Sequence, residues 1–397
     1  MERLEIDFSD TKIAFENQSI EKLKKNYAIF ALMNQNWLVK IGTFFIKNSL
    51  IFGLPIKKLI KVTIFELFCG GETIEDCKNT IQTLNKFSVG TILDYSVEGE
   101  DDEDSFDATE KEILDSISYA SLHKSEIPFS VFKVTGIGSR DLLTKVQQDN
   151  EPLSDLEKQN WNNFNRRFET ICKKAAQSQI RLFIDAEETW IQSVIDGLVL
   201  DMMEKYNIDG KTFIFNTYQL YRNEGLGIFK QHISQARAKG FKVGAKLVRG
   251  AYMEKERRRA EEMNYPDPIN ENKAKTDEQF NLALEACFDH LDLVSVCSGT
   301  HNEASCKLGI DLMNKKGLDS GDQHVYFAQL LGMSDNISYN LAKKGFNVAK
   351  YVPYGPIEAV MPYLFRRAEE NTSIAGQSSR EFLLLKKELK RRSKEKV

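Results

Sequence analysis

Apolar positions follow two different rhythms along the chain. Over residues 1–88 they recur at helical spacing, as in "ENQSIEKLKKNYAIFALM", where Ser19 stands ready to cap the helix. From about residue 89 the pattern changes. Short apolar runs, many of them β-branched, alternate with long amphipathic stretches. The runs are "GTILDYS" near 90, "FSVFKV" at 129, "RLFIDA" at 181, "TFIFNT" at 212, "VGAKLV" at 243, "DLVSVCS" at 292, "HVYFAQ" at 324 and "NVAKYV" at 347. Between most of them lies a segment long enough for a helix, such as "WNNFNRRFETICKKAAQSQ". Strand–helix alternation predicts a parallel sheet, and eight repeats predict closure into a TIM-type (β/α)8 barrel. An open doubly wound sheet would want a Gly-rich turn after its first strand. Here "VEGEDDEDSFD" follows, which is acidic and would repel a pyrophosphate. The expected organisation is an N-terminal helical arm (1–88), a barrel (89–375) and a basic C-terminal helix or tail (376–397) that reads as an exposed helix end.

Composition narrows the function classes. The chain has 397 residues, 42% hydrophobic and 28% charged, with a net charge of −4. That balance argues against nucleic-acid binding, which needs a basic face. None of the six cysteines forms a C-x-x-C pair, so neither a zinc site nor a disulfide framework is expected. Glu2, Glu5, Asp7 and Asp10 argue against a targeting peptide, so the chain reads either as bacterial and cytoplasmic or as already processed. The most apolar region, 37–69, is broken by lysines and Pro55. It reads as two amphipathic helices flanking "FGLP" that pack on the protein, with peripheral contact at an inner membrane as the competing reading.

A barrel places its chemistry where strands end. Lys133 ends the second run, Asp185 the third, Asn216 the fourth and "KLVRGAY" the fifth. His301 follows the sixth, Gln329 closes the seventh and Tyr351 the eighth. Farther on, "PYLFRRAEENTS" puts Tyr363, Arg366, Arg367 and Glu370 on one helical face. The residues show no metal-ligand spacing and no Ser–His–Asp order. The cations Lys133, Lys246, Arg249, Arg366 and Arg367 suit a substrate carboxylate and an electron-rich or phosphorylated cofactor. Gly250 and Ala251 would let backbone approach a ligand closely.

At these residues the chain resembles the proline dehydrogenase family of flavoenzymes. The likeness rests on "LFIDAEET", "FNTYQ", "KLVRGAYMEKERRRA", "HNE", "VYFAQLLGM" and "YVPYGPIEAVMPYLFRRAEENTS", in order between about 60 and 375. It implies a distorted (β/α)8 barrel of the stand-alone type, with non-covalent FAD. The implied reaction is oxidation of L-proline to 1-pyrroline-5-carboxylate by hydride transfer from the ring carbon beside nitrogen. Electrons would pass to a membrane quinone, and a separate 1-pyrroline-5-carboxylate dehydrogenase would act downstream. By the same resemblance Arg366, Arg367 and Lys133 would hold the carboxylate, with Asp185 beside the amine. Tyr351 and Tyr363 would pack on the ring, Leu330 would close the pocket, and Glu72 would pair with the first arginine. Asn216, Lys246, Val248, Gly250, Ala251, His301, Asn302 and Glu370 would contact the flavin. Asn216 stands where the family's bifunctional branch has Gln, and Lys246 where it has Arg. The alternatives are a dehydrogenase for another small amino acid such as hydroxyproline, a non-catalytic proline-binding homologue, and a folate-reducing flavin barrel, which would not need two arginines on one small carboxylate.

Overall fold

The structure is a computed structural model and describes residues 5–35, 37, 57–97, 102–370 and 379–395. Eight parallel strands close into a barrel in chain order. They are β1 (Gly90–Tyr95), β2 (Phe129–Lys133), β3 (Arg181–Asp185), β4 (Ile214–Gln219), β5 (Val243–Val248), β6 (Val294–Gly299), β7 (Val325–Leu330) and β8 (Val348–Tyr354). Each run named from the sequence overlaps one of them, and β4, β6, β7 and β8 continue one or two residues past the end of the run. The runs are legible because a parallel sheet is covered on both faces, so its strands are apolar almost without interruption. Contacts divide the chain into two compact units, Met1–Glu5 with Glu98–Ala328 and Ile6–Val97 with Gln329–Val397.

In the first unit an aromatic plug fills the strand interior. Phe129 stacks on Phe183 with ring centroids 4.2 Å apart, and Phe215 and Tyr326 meet Phe129 edge-on. The Arg181 guanidinium lies 5.0 Å from the Tyr326 ring and 5.5 Å from Phe129. Arg181 and Phe129 open their strands, so this packing leaves the opposite, C-terminal ends for polar groups. Outside the strands, Arg167 on helix Asp155–Ser178 is almost fully buried. Its Nε donates to Asp107 at 2.7 Å and one terminal nitrogen to Glu103 at 2.6 Å, which ties this helix to helix Glu103–Leu122.

The second unit gathers the N-terminal helices Thr11–Ala14, Ile20–Met33 and Ile74–Asn85, then β1, β8 and the helices Asp335–Lys343, Ile357–Glu370 and Arg380–Lys394. The last of these corrects the expectation of an exposed tail. Leu384 and Leu385 are buried, and Glu388 is 0% exposed. Arg391 and Arg392 clamp the Glu388 carboxylate, and Arg392 also donates to the carbonyls of Phe15 and Gln18. The i, i+3 and i+4 spacing makes this local charge neutralisation possible, so a basic stretch can lie against the protein. The "FGLP" stretch and residues 98–101 of the acidic run lie outside the described residues. Asp102, at the edge of that run, caps helix Glu103–Leu122. Among the described residues no helix is long and apolar enough to cross a membrane. All six cysteines are buried and free.

Two stability predictions follow from these buried charges. Arg167→Ala empties a buried volume and removes the tie between the two helices, while Glu103 and Asp107 stay open to solvent, so it should cost about 2–3 kcal/mol through lost packing. A denaturation midpoint unchanged from the parent would refute this. Glu381 is the second case. Its carboxylate accepts from the Ser334 N–H at 2.7 Å, yet burial pushes its pKa up to about 7 against that bond, and the charge of Asp335 adds to the rise. The folded value lies above the unfolded one of about 4.3. The native state therefore holds the proton more tightly, and Glu381 contributes stability at low pH that is lost as pH rises through about 7. Glu381→Gln should lose less stability than the parent between pH 5 and 8; parallel stability curves would rule the linkage out.

Candidate active site

In the first unit the polar groups collect where β2 to β6 end. Lys133 and Asp185 are the last residues of β2 and β3 and pair in register. Lys246 of β5 is 4% exposed, donates to Asp185 Oδ1 and lies 5.3 Å from the Phe183 ring. Burying an ammonium is tolerable only beside an anion, and Asp185 is that anion. Asp185 was expected beside a substrate amine; the structure places it against a protein ammonium. Val248 ends β5, and its carbonyl accepts from the Leu220 N–H at 2.9 Å.

Beyond β5 the backbone turns through Gly250 at φ +141°, a region that L side chains rarely adopt. A Cβ there would also stand 2.4 Å from the Tyr221 ring. Gly250 and Ala251 leave their backbone exposed. Beside them the Tyr221 hydroxyl is buried, and the hydrogen-bonding group it meets is the Tyr252 backbone. His301 and Asn302 follow β6 and are half-buried.

Three expected ligand contacts turn out to have other tasks. Asn216 shares its strand face with Ile184 and Ala245, whereas Thr217 shares one with Lys246. Its amide donates to Asp196 of helix Thr189–Tyr206 at 2.8 Å, so it faces the helix layer. The inner-face group at the end of β4 is Gln219, which the sequence reading missed because a one-residue step reverses the face. Asn302 Oδ1 caps helix Glu303–Lys316, accepting from the N–H groups of Ala304 and Ser305. Arg249 is tied down by Asp277 at 2.6 Å, Thr300 at 2.6 Å and Ser305 at 3.0 Å.

In the second unit Tyr351 is buried in β8 and Leu330 half-buried at the end of β7. Helix Ile357–Glu370 carries Tyr363, Arg366, Arg367 and Glu370. Tyr363 is buried, its hydroxyl has no partner among the described residues, and burial raises its pKa. The Arg367 guanidinium lies 5.2 Å from the Tyr363 ring and donates to Glu370 Oε1 at 2.6 Å. Glu370, expected at the flavin, is thus held by Arg367. Glu72 does not take the place expected for it either: it is half-exposed, and Lys61 holds its carboxylate. Asp94 was missed. It is buried near the end of β1, accepts from Ser96 Oγ at 2.7 Å, and its charge is felt at Tyr363. The strand-end rule, applied to "ILDYS", would have found it.

Comparison with known proteins agrees with the fold and sharpens the identity. The model of the family described as proline dehydrogenase matches residues 77–380. "Proline dehydrogenase 1, mitochondrial" of Dictyostelium discoideum is 31% identical over 96% of this chain and 74% of its own length. "Carbapenem antibiotics biosynthesis protein CarD" of Pectobacterium carotovorum is 33% identical over 92% of this chain and 93% of its own. Among solved structures, proline utilization A from Bdellovibrio bacteriovorus matches with a TM-score of 0.71 at 16% identity, over 93% of this chain and 38% of that one. The expectation of a bacterial cytoplasmic location is overturned. The relatives from D. discoideum, Caenorhabditis elegans, Homo sapiens and Arabidopsis thaliana are all named mitochondrial. Acidic residues near the start of the chain are a poor guide to compartment. The barrel, the matched span and the identity across most of the chain together show that it belongs to the proline dehydrogenase family of oxidoreductases.

Proposed function

We propose that this chain oxidises L-proline to 1-pyrroline-5-carboxylate with FAD as cofactor and a membrane quinone as final acceptor, and that a separate dehydrogenase consumes the product. The observation that carries the reading is the exit of β5, where a buried lysine and bare backbone stand together. Lys246, held by Asp185, brings an ammonium into an apolar layer, and Gly250 and Ala251 present exposed backbone with nothing larger than a methyl group. These features fit a flat cofactor that carries polar edges and phosphates. FAD, when bound, supplies the two-electron acceptor that no side chain in this chain can provide.

The roles follow from residue chemistry. Lys246, Val248, Gly250, Ala251 and His301 would hold FAD, with the Lys246 charge favouring an electron-rich ring. Asn216 and Asn302 would support that site through Asp196 and the helix cap, without touching the cofactor. Arg366 and Arg367 in the second unit would grip the proline carboxylate, and Lys133 in the first unit is a further cation with the charge for that role. Guanidinium forks fix geometry as well as charge. Tyr351, Tyr363 and Leu330 would enclose the pyrrolidine ring. Proline must shed its amine proton. Burial and nearby cations lower an amine pKa, so orientation matters more than a strong base.

The purified protein should be yellow and should bleach on anaerobic addition of proline. Retained colour with proline present would refute the reading. Arg366→Ala should raise KM for proline at least about tenfold, equal to ~1.4 kcal/mol, with flavin content unchanged. Unaltered steady-state kinetics would remove Arg366 from the clamp. Tyr351 is buried and bulky, leaving little space for a 4-hydroxyl. Proline should therefore be turned over in preference to hydroxyproline, and equal kcat/KM for the two would show that Tyr351 does not set the choice.

A further inference from the structure

Glu187 carries a carboxylate that the proposed reaction does not use. It is 2% exposed and lies two residues beyond Asp185, where the chain leaves β3. One carboxylate oxygen accepts from the Thr135 backbone N–H at 2.8 Å, the other from the Thr135 hydroxyl at 2.5 Å. Thr135 is the middle residue of a single 3-10 turn, Val134–Gly136, that begins directly after Lys133. The Glu187 backbone is held as well. Its N–H donates to Gln192 Oε1 at 2.8 Å, and its carbonyl accepts from Gln219 Nε2 at 2.6 Å. Gln219 ends β4, and Gln192 passes the network on to Asp196, which also takes the Asn216 amide. Thr135, Gln192 and Gln219 are buried too.

A buried carboxylate is costly unless its hydrogen bonds are complete, and a neutral acceptor would satisfy the Thr135 N–H at lower cost. What the side chain provides is a two-point tether, with both of its terminal atoms on Thr135. The β2–β3 ladder ends at the Lys133–Asp185 pair. The Glu187–Thr135 contact continues the link between the exits of β2 and β3 just past that point. We propose that Glu187 is a positioning residue: by fixing the turn after β2 against the exit of β3, it sets where the Lys133 ammonium stands relative to Asp185. This rests on the reading of Lys133 as a ligand of the substrate carboxylate.

The test measures KM, kcat and flavin content in Glu187→Ala, Glu187→Gln, Thr135→Val, Lys133→Met and the Lys133→Met double variant with Glu187→Ala. Glu187→Ala should raise KM for proline about tenfold while kcat and flavin content change by less than about twofold. Gln can turn its oxygen to the Thr135 N–H and its amide to the hydroxyl, so Glu187→Gln should bring KM back to within about threefold of the parent. Thr135→Val removes only the hydroxyl and should give an intermediate KM; it replaces Glu187→Ala throughout if that variant does not fold. With Lys133 already gone, the second substitution should add less than about twofold. The proposal is overturned by an unchanged KM in the disrupting variant, by an effect that multiplies in full on Lys133→Met, or by a Gln variant as impaired as Ala. A parental KM in Lys133→Met alone would instead refute the reading of Lys133 and take the proposal with it.

Discussion

The ion pair between buried Lys246 and half-buried Asp185 constrains much of the first unit. Each charge removed from water costs several kcal/mol, and the pair holds only if its geometry is fixed. Asp185 is the last residue of β3 and Lys246 lies inside β5, with β4 between them in the sheet. A slip of any of these strands would leave the Lys246 ammonium buried without its anion. The residues after Asp185 bear on this directly. Glu187 ties the β3 exit to the turn after β2, Gln219 of β4 ties back to Glu187, and Thr189 ties it to Glu256 on the helix after β5. Glu188, almost fully buried, pairs with Lys255 on that same helix. A short acidic segment thus joins the exits of four consecutive strands, and the Lys246 charge stays where apolar walls surround it.

The arm and the C-terminal helix use the same device. Lys350 of β8 is 0% exposed, pairs with Asp335 at 2.8 Å and donates to the carbonyls of Leu330 and Met333. Glu381 meets the Ser334 N–H at the start of helix Asp335–Lys343, where Ser334 itself offers no side-chain cap. An acid from a distant helix therefore satisfies a buried helix terminus, which is a reason for the C-terminal segment to lie docked.

The strands were legible because burial on both faces makes them continuous apolar runs, and that property survives in one dimension. Facing was not. The run "TFIFNT" locates β4 but not its parity, and the sequence reading stopped at Asn216 when the strand continues to Gln219. Buried acids are also hard to see in one dimension. In one dimension Glu187, Glu188, Glu256 and Glu388 look like solvated charge or helix-start residues. Their burial depends on partners far away in sequence, such as Thr135 for Glu187 and Thr189 for Glu256. Only Glu388 had local notice, in the arginines three and four residues on. Asp94 was within reach, because it obeys the strand-end rule that found Asp185.

Parity also separates the two cations of "KLVRGAY", which looked equivalent. Lys246 and Arg249 are three residues apart, an odd number, so extended backbone sends them to opposite sides. Lys246 goes to the face of Asp185 and Phe183. Arg249 goes to helix Lys273–Asp289, where Asp277 and the Phe280 ring receive it and Thr300 and Ser305 complete its bonds. A guanidinium with that many protein partners has little left for a ligand, as Arg167 shows when it links two helices. The basic residues that can serve chemistry here are distinguished less by type than by how far the protein has already answered their charge. By that criterion the short β5 motif divides its work: one cation stabilises the wall, the other points inward, and the glycine next to them keeps the backbone bare.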